Sequence, residues 1–185
     1  MKRNGNETKE EAQRVALELF IAKGFEATSL REIAEEIGIS KAALYYHFNS
    51  KEDIVKSIVS ARSKEVTELL NWVRNQDPAS DLLERTVLRW IETTSVEKLR
   101  GIRFVNANPA VMRNMSTGIG ENLGAVAELV TGKGSDPTRK LMVRMVFLSI
   151  NSAVMAAEGT QQSDEEIVAA SREMALALLD RLREC

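Results

Sequence analysis

The sequence predicts an all-α protein, on three observations. Ala, Glu, Leu, Arg and Lys, which favour helix, dominate the 185 residues, whereas aromatic residues make up only 5% and strand signals are scarce. Apolar residues return at three- and four-residue intervals, the repeat of one helical face. Small polar residues stand ahead of these stripes and Gly closes the earlier ones, as helix starts and stops require.

Taken in order, Ala12, Val15, Ala16, Leu19 and Phe20 stripe a first helix from Lys9 to Lys23, which Gly24 stops. Ser29 and Glu32 have the spacing of a capping box, with Thr28 as a rival cap. Leu30, Ile33, Ala34 and Ile37 then stripe a second, short helix that ends at Gly38. Ser40 caps a third helix, Lys41 to Phe48, and Ser50 a fourth that continues through Ile54, Ile58, Val66, Leu69 and Val73. Asp77-Pro78, Asn108-Pro109 and Asp136-Pro137 each set a side-chain cap before a proline suited to a first helical turn, so three later helices are expected to start there. Leu83, Val87, Trp90 and Ile91 stripe the fifth helix. Residues 98–105 read as a short sixth, and residues 109–131, with Gly118, Gly120 and Gly124, as an irregular seventh. Residues 138–157 are apolar on nearly every face, as expected of a helix covered on several sides, and Ile167, Ala170, Ser171, Met174, Leu178 and Leu182 stripe the last. About nine helices are expected in all.

Composition narrows the function classes. Apolar residues at 44% and charged residues at 28% describe a folded chain rather than a disordered one. The single cysteine, Cys185, excludes a disulfide framework, and the single histidine, His47, cannot build a His-based metal site. No metal or cofactor is expected. The sequence pairs no nucleophile with a base, so the chain is read as a non-enzyme; an all-helical enzyme with a C-terminal pocket is the alternative from that class. Residues 1–7 lack the apolar stretch of a signal peptide. The apolar run from Leu141 to Ala157 is broken by Arg144 and Asn151 and falls short of the roughly 20 residues that span a bilayer. A cytoplasmic protein without a membrane partner is the expectation.

The net charge of −2 does not describe a globally basic nucleic-acid binder, but its distribution is informative. Residues 37–51 contain no acid, and Lys41, Tyr45, Tyr46, His47 and Lys51 fall there. Ala34, Gly38 and Ile39 supply the small residue, turn glycine and apolar plug that let one helix of a helix-turn-helix cross another closely. At a step of about 100° per residue, Leu44 and Phe48 share one narrow buried side of the third helix. Lys41, Ala42, Ala43, Tyr45, Tyr46 and His47 are left on the remaining arc. A cation, two phenols, an imidazole and two methyl groups suit phosphate oxygens, guanine acceptors and the thymine methyl group.

Gly24-Phe25, Thr28-Ser29-Leu30, Ile33-Ala34, Gly38-Ile39-Ser40, Leu44-Tyr45-Tyr46-His47-Phe48 and Ser50-Lys51-Glu52 together resemble the N-terminal signature of the tetracycline-repressor (TetR) family of bacterial transcriptional regulators, over about residues 9–58. Position 42 is Ala where many members carry Gly, a departure that bears on base preference rather than fold. The resemblance implies a DNA-binding domain at residues 1–50, with an N-terminal arm at 1–8. A long fourth helix would join it to an effector-binding and dimerisation domain at 51–185, in a homodimer closed by the last two helices. Carried over by position, it implies that Lys41, Ala42 and Ala43 read base edges and that Tyr45, Tyr46 and His47 contact phosphate and sugar. Thr28, Ser29 and Lys51 would hold the flanking backbone.

The rest of the chain offers Trp90, Phe104, Asn108, Met112, Phe147 and Asn151 as an apolar effector pocket with orienting amides, against the alternative that each packs a core. Asn151 interrupts the most apolar helix, where an unpaired amide costs about 1–3 kcal/mol. Leu141, Met145, Leu148, Met174, Leu178 and Leu182 are the expected dimer seam. The function expected is a repressor that binds a palindromic operator as a dimer and is released by a small apolar effector. An activator, or a regulator without an effector, is the alternative.

Overall fold

The structure is a computed structural model that describes residues 5–77, 81–112, 118–132 and 134–184, apart from the side chain of Met112. The described residues form eleven helices and no strand. The chain divides into two compact units, residues 1–61 with 100–116, and residues 62–99 with 117–185.

The first unit contains α1 (Gly5–Lys23), α2 (Leu30–Glu36), α3 (Lys41–His47), the start of α4 (Lys51–Arg74), the end of α6 (Val96–Ala107) and α7 (Pro109–Met112). Residues 5–8, placed by expectation in the N-terminal arm, are instead the first turn of α1, and Thr8 is buried there. The predicted caps are present. Ser29 and Glu32 close a reciprocal capping box on α2, the Ser40 hydroxyl accepts from the Ala43 N–H, and the Ser50 hydroxyl accepts from the Asp53 N–H. Gly38, at φ +72°, turns the chain between α2 and α3, and the Ile39 N–H donates back to the Ala34 carbonyl at 3.0 Å. Ala16, Ile33, Ala34, Leu44 and Ile54 are sealed in the core that results. Phe20, Phe25 and Phe104 pack mutually with ring centroids 5.0–6.0 Å apart. Phe104 arrives from α6, so the core of the helix-turn-helix is closed by a residue distant in sequence.

The second unit takes the remainder of α4 with α5 (Leu82–Glu92), α8 (Ile119–Thr131), α9 (Pro137–Phe147), α10 (Ser149–Ala156) and α11 (Asp164–Arg183), together with the first turn of α6. Its core gathers Val66, Val87, Trp90, Val126, Val146, Phe147 and Leu179, with the Trp90 and Phe147 rings edge to face at 5.6 Å. Asp136 caps α9 by accepting from the Arg139 N–H, with Pro137 in the first turn, as the sequence predicts. The fifth helix differs. It starts at Leu82 after Asp81, and Pro78 lies outside the described residues.

Two expected helices are divided, which raises about nine to eleven. The irregular seventh is resolved into α7 and α8, with residues 113–117 outside the described set. The long apolar segment bends at Leu148, where ψ opens to 3° and the N–H donates to the Arg144 and Met145 carbonyls, which separates α9 from α10. Neither is covered on all sides: Leu141, Met145, Leu148 and Met155 are exposed. On α11 the buried stripe is Ile167, Val168, Ser171, Ala175, Leu179 and Leu182. It is turned by one residue from the predicted stripe in its middle section, which leaves Met174 exposed and Leu178 at the edge of the core. Leu182 is enclosed by its own unit, a correction to its expected place on the seam.

Candidate nucleic-acid interface

Within its seven residues α3 buries only Leu44, and Phe48, its C-cap, is buried beside it. Both lie on the side that the 100° step assigns inward. Lys41, Ala42, Ala43, Tyr45 and Tyr46 are exposed and His47 is half-buried, so the predicted recognition arc is on the surface. Tyr46 is 86% exposed, an unusual state for a tyrosine that contributes to packing. Its ring lies nearly perpendicular to that of His47, with centroids 5.2 Å apart. The Lys41 ammonium lies 5.3 Å from the Tyr45 ring, which supports the lysine without removing it from water.

An open groove of about 500 Å³ runs between the start of α2, α3 and the first turn of α4. It brings together Thr28, Ser29, Lys41, Tyr45 and Lys51, five of the nine residues singled out from the sequence. Ala42, Ala43, Tyr46 and His47 do not line it. Arg31 and Asn49 do, and sequence reasoning passed over both. The signal available for Arg31 was its place three residues after Thr28 on a two-turn helix, exposed and paired with Glu35 at 2.7 Å.

The flanking residues are held by the protein in ways their expected roles omit. The Thr28 side chain is buried, and its hydroxyl donates to the Gly24 carbonyl at 2.9 Å. Ser29 is occupied with Glu32, whose carboxylate is held below the usual carboxylate range by hydrogen bonds from the Ser29 N–H and hydroxyl, with further help from Lys23. The Lys51 ammonium donates to the Phe25 carbonyl at 2.6 Å and the Glu26 carbonyl at 3.2 Å, over the face of Phe25. Lys51 therefore closes the turn after α1, with its charge at the groove. Glu26 and Glu52 also border the groove, which leaves α3 as the surface without acids.

The other predicted sets are distributed more widely. Trp90 and Phe147 share the second unit's core, whereas Phe104 belongs to the first unit's core. Asn108 donates its amide to the Phe104 carbonyl at 2.8 Å, closing the end of α6. Asn151 is half-buried on α10, and the Met112 side chain lies outside the described residues. Of the seam residues, Leu141, Met145, Leu148 and Met174 are exposed and Leu178 is half-buried.

Residues 14–58 match the model of the family described as "Bacterial regulatory proteins, tetR family". The chain is 32% identical over 101 residues to the HTH-type transcriptional regulator AcrR of Shigella flexneri, which covers 54% of this chain and 47% of that protein. It is 48% identical over 44 residues to the biofilm operon icaADBC HTH-type negative transcriptional regulator IcaR of Staphylococcus aureus, covering 24% of each. These matches span less than half the length of either relative. Among solved structures, a SmeT–triclosan complex superposes with a TM-score of 0.64 at 17% identity, over 95% of this chain and 89% of that one. The family pattern thus falls on the segment that builds α1 to α4: residues 14–58 carry the N-terminal pattern of the tetR family of bacterial regulatory proteins, and the fold is shared with solved structures along nearly the whole chain.

Proposed function

We propose that this chain is a dimeric transcriptional repressor that binds a two-fold-related operator through α3 and is released by a small apolar effector. The observation that carries the reading is the surface of α3: a helix whose seven residues bury only Leu44, with Lys41, Ala42, Ala43, Tyr45 and Tyr46 turned to solvent and no acid from residue 37 to 51. Lys41 and the two alanines suit base edges, and the phenols and His47 suit phosphate and sugar oxygens. Residues 1–50 would form the reading head and residues 51–185 the effector and dimer body. Repression draws support from IcaR, a negative regulator. An effector draws support from the fold shared with SmeT, which is complexed with triclosan.

Two recognition helices enter successive major grooves only when about 34 Å apart. An effector that prefers another spacing weakens binding by its differential affinity, and a coupling of about 1–3 kcal/mol gives roughly 5–150-fold release. No helix among the described residues is long and apolar enough to cross a membrane, and a cytoplasmic location is part of the proposal. Selection of bound duplexes from random DNA tests the reading. Enrichment of two inverted half-sites, with affinity that falls steeply as salt rises, is expected; absence of any enriched sequence contradicts it.

A further inference from the structure

In the second unit, two cations converge on one carboxylate. Arg62 and Glu65 stand on α4 and Lys98 on α6. The Arg62 Nη1 lies 3.0 Å and the Lys98 Nζ 2.8 Å from the same oxygen, Oε2 of Glu65. The Arg62 side chain is only 22% exposed and that of Lys98 only 15%. Glu65 is the sole acid acting on either cation among the described residues. The guanidinium also rests on the Trp90 ring, 4.3 Å from its centroid, and Trp90 in turn meets Phe147 in the core.

This arrangement exceeds what a structural bridge needs. Arg62 alone neutralises Glu65, so Lys98 adds a second, mostly buried positive charge with half a partner. Burial is the main influence that holds Lys98 below the ordinary lysine range; the hydrogen bond to Glu65 opposes it and the Arg62 charge adds to it. Burying a charge without full compensation opposes folding. A single added anion would bring the cluster to two positive and two negative groups. The stacked guanidinium, planar and weakly hydrated, is suited to receive a carboxylate along its free edge while the indole and Phe147 supply an apolar surround.

We propose that Arg62 and Lys98 receive the carboxylate of a monoanionic ligand with an apolar body. The proposal rests on the reading of the second unit as an effector-binding body and narrows the effector from apolar to anionic amphiphile. Arg62 and Glu65 lie on the helix that begins four residues after α3, so a carboxylate drawn between α4 and α6 acts directly on the helix that follows the reading head.

Isothermal titration with decanoate, decanol and decyltrimethylammonium, each below its micelle concentration, tests the proposal on the full chain. Decanoate is expected to bind at least tenfold more tightly than decanol, and the cation more weakly still. Lys98→Met is expected to erase that preference while decanol binding persists, and Lys98→Arg to retain it. Without ligand, Lys98→Met should melt no lower than the wild type, because Arg62 and Glu65 remain paired one to one; a purely structural lysine would lower the melting temperature. Failure of decanoate to bind, equal binding of decanoate and decanol, or a preference that survives Lys98→Met overturns the proposal. Release of the selected duplex, followed in the same titrations, separates the two claims. Decanoate preference without release upholds the anion site and removes the effector reading, whereas release by decanol and decanoate alike does the reverse.

Discussion

Tyr46 separates the proposed DNA contact from stability, because its side chain lies almost wholly in solvent. It is 86% exposed, with its ring nearly perpendicular to that of His47. Tyr46→Ala should therefore leave unfolding free energy within about 0.5 kcal/mol of the wild type. Loss of its hydroxyl from a phosphate should still weaken operator binding by about 0.5–1.5 kcal/mol, as fluorescence anisotropy would measure. Lys51 behaves differently, because its ammonium is bonded to two carbonyls of the turn after α1, so Lys51→Ala reads out both folding and binding. That double role was not legible in the sequence. Residues 25 and 51 are brought together only by the fold, and the same holds for Phe104, whose spacing said apolar face while its partners Phe20 and Phe25 lie some eighty residues earlier.

At the level of elements, the α2–α3 pair was readable because each boundary rests on a local rule: Ser29 with Glu32, Gly38 at positive φ, and Ser40 at the next N-cap. The cap of α2 also makes a pH prediction. Because the Glu32 carboxylate is held below its unfolded value, its contribution to stability is present above the ordinary carboxylate range near about 4 and is lost as pH falls through the lower, folded value. Melting temperatures of the wild type and Glu32→Gln should differ at pH 7 and converge in acid. A separation that persists unchanged at the lowest pH would assign the effect to something other than the charge. The bend at Leu148 was not readable, since no Pro or Gly marks it, and the turn of the α11 stripe was hidden because Met174 and Ala175, like Leu178 and Leu179, are apolar neighbours.

For the whole molecule, the exposed apolar residues decide what the single chain leaves unfinished. Leu141, Met145, Leu148 and Met155 follow one another at four, three and seven residues along α9 and α10, and Leu141 is 58% exposed. Met174 and Leu178 are four apart on α11. An exposed apolar series of this kind on three neighbouring helices is suited to a two-fold partner. Met145→Asp places a charge on that surface at a residue that is 48% exposed and outside the buried core. Sedimentation should show a dimer for the wild type at micromolar concentration and a monomer for the variant, with tight operator binding lost and the melting transition of the monomer retained. A wild-type monomer would remove the dimer from the proposal.

The central claim is that α3 reads sequence, and its most direct test is to change that helix alone. Lys41, Ala42 and Ala43 are all exposed, so replacing the three together should preserve the fold. Selection from random duplexes, run in parallel on the wild type and on the Lys41→Gln, Ala42→Gly, Ala43→Ser triple variant, should enrich inverted half-sites of the same spacing with different bases at the contacted positions. Enrichment of the identical motif by both proteins would contradict the assignment of base reading to α3.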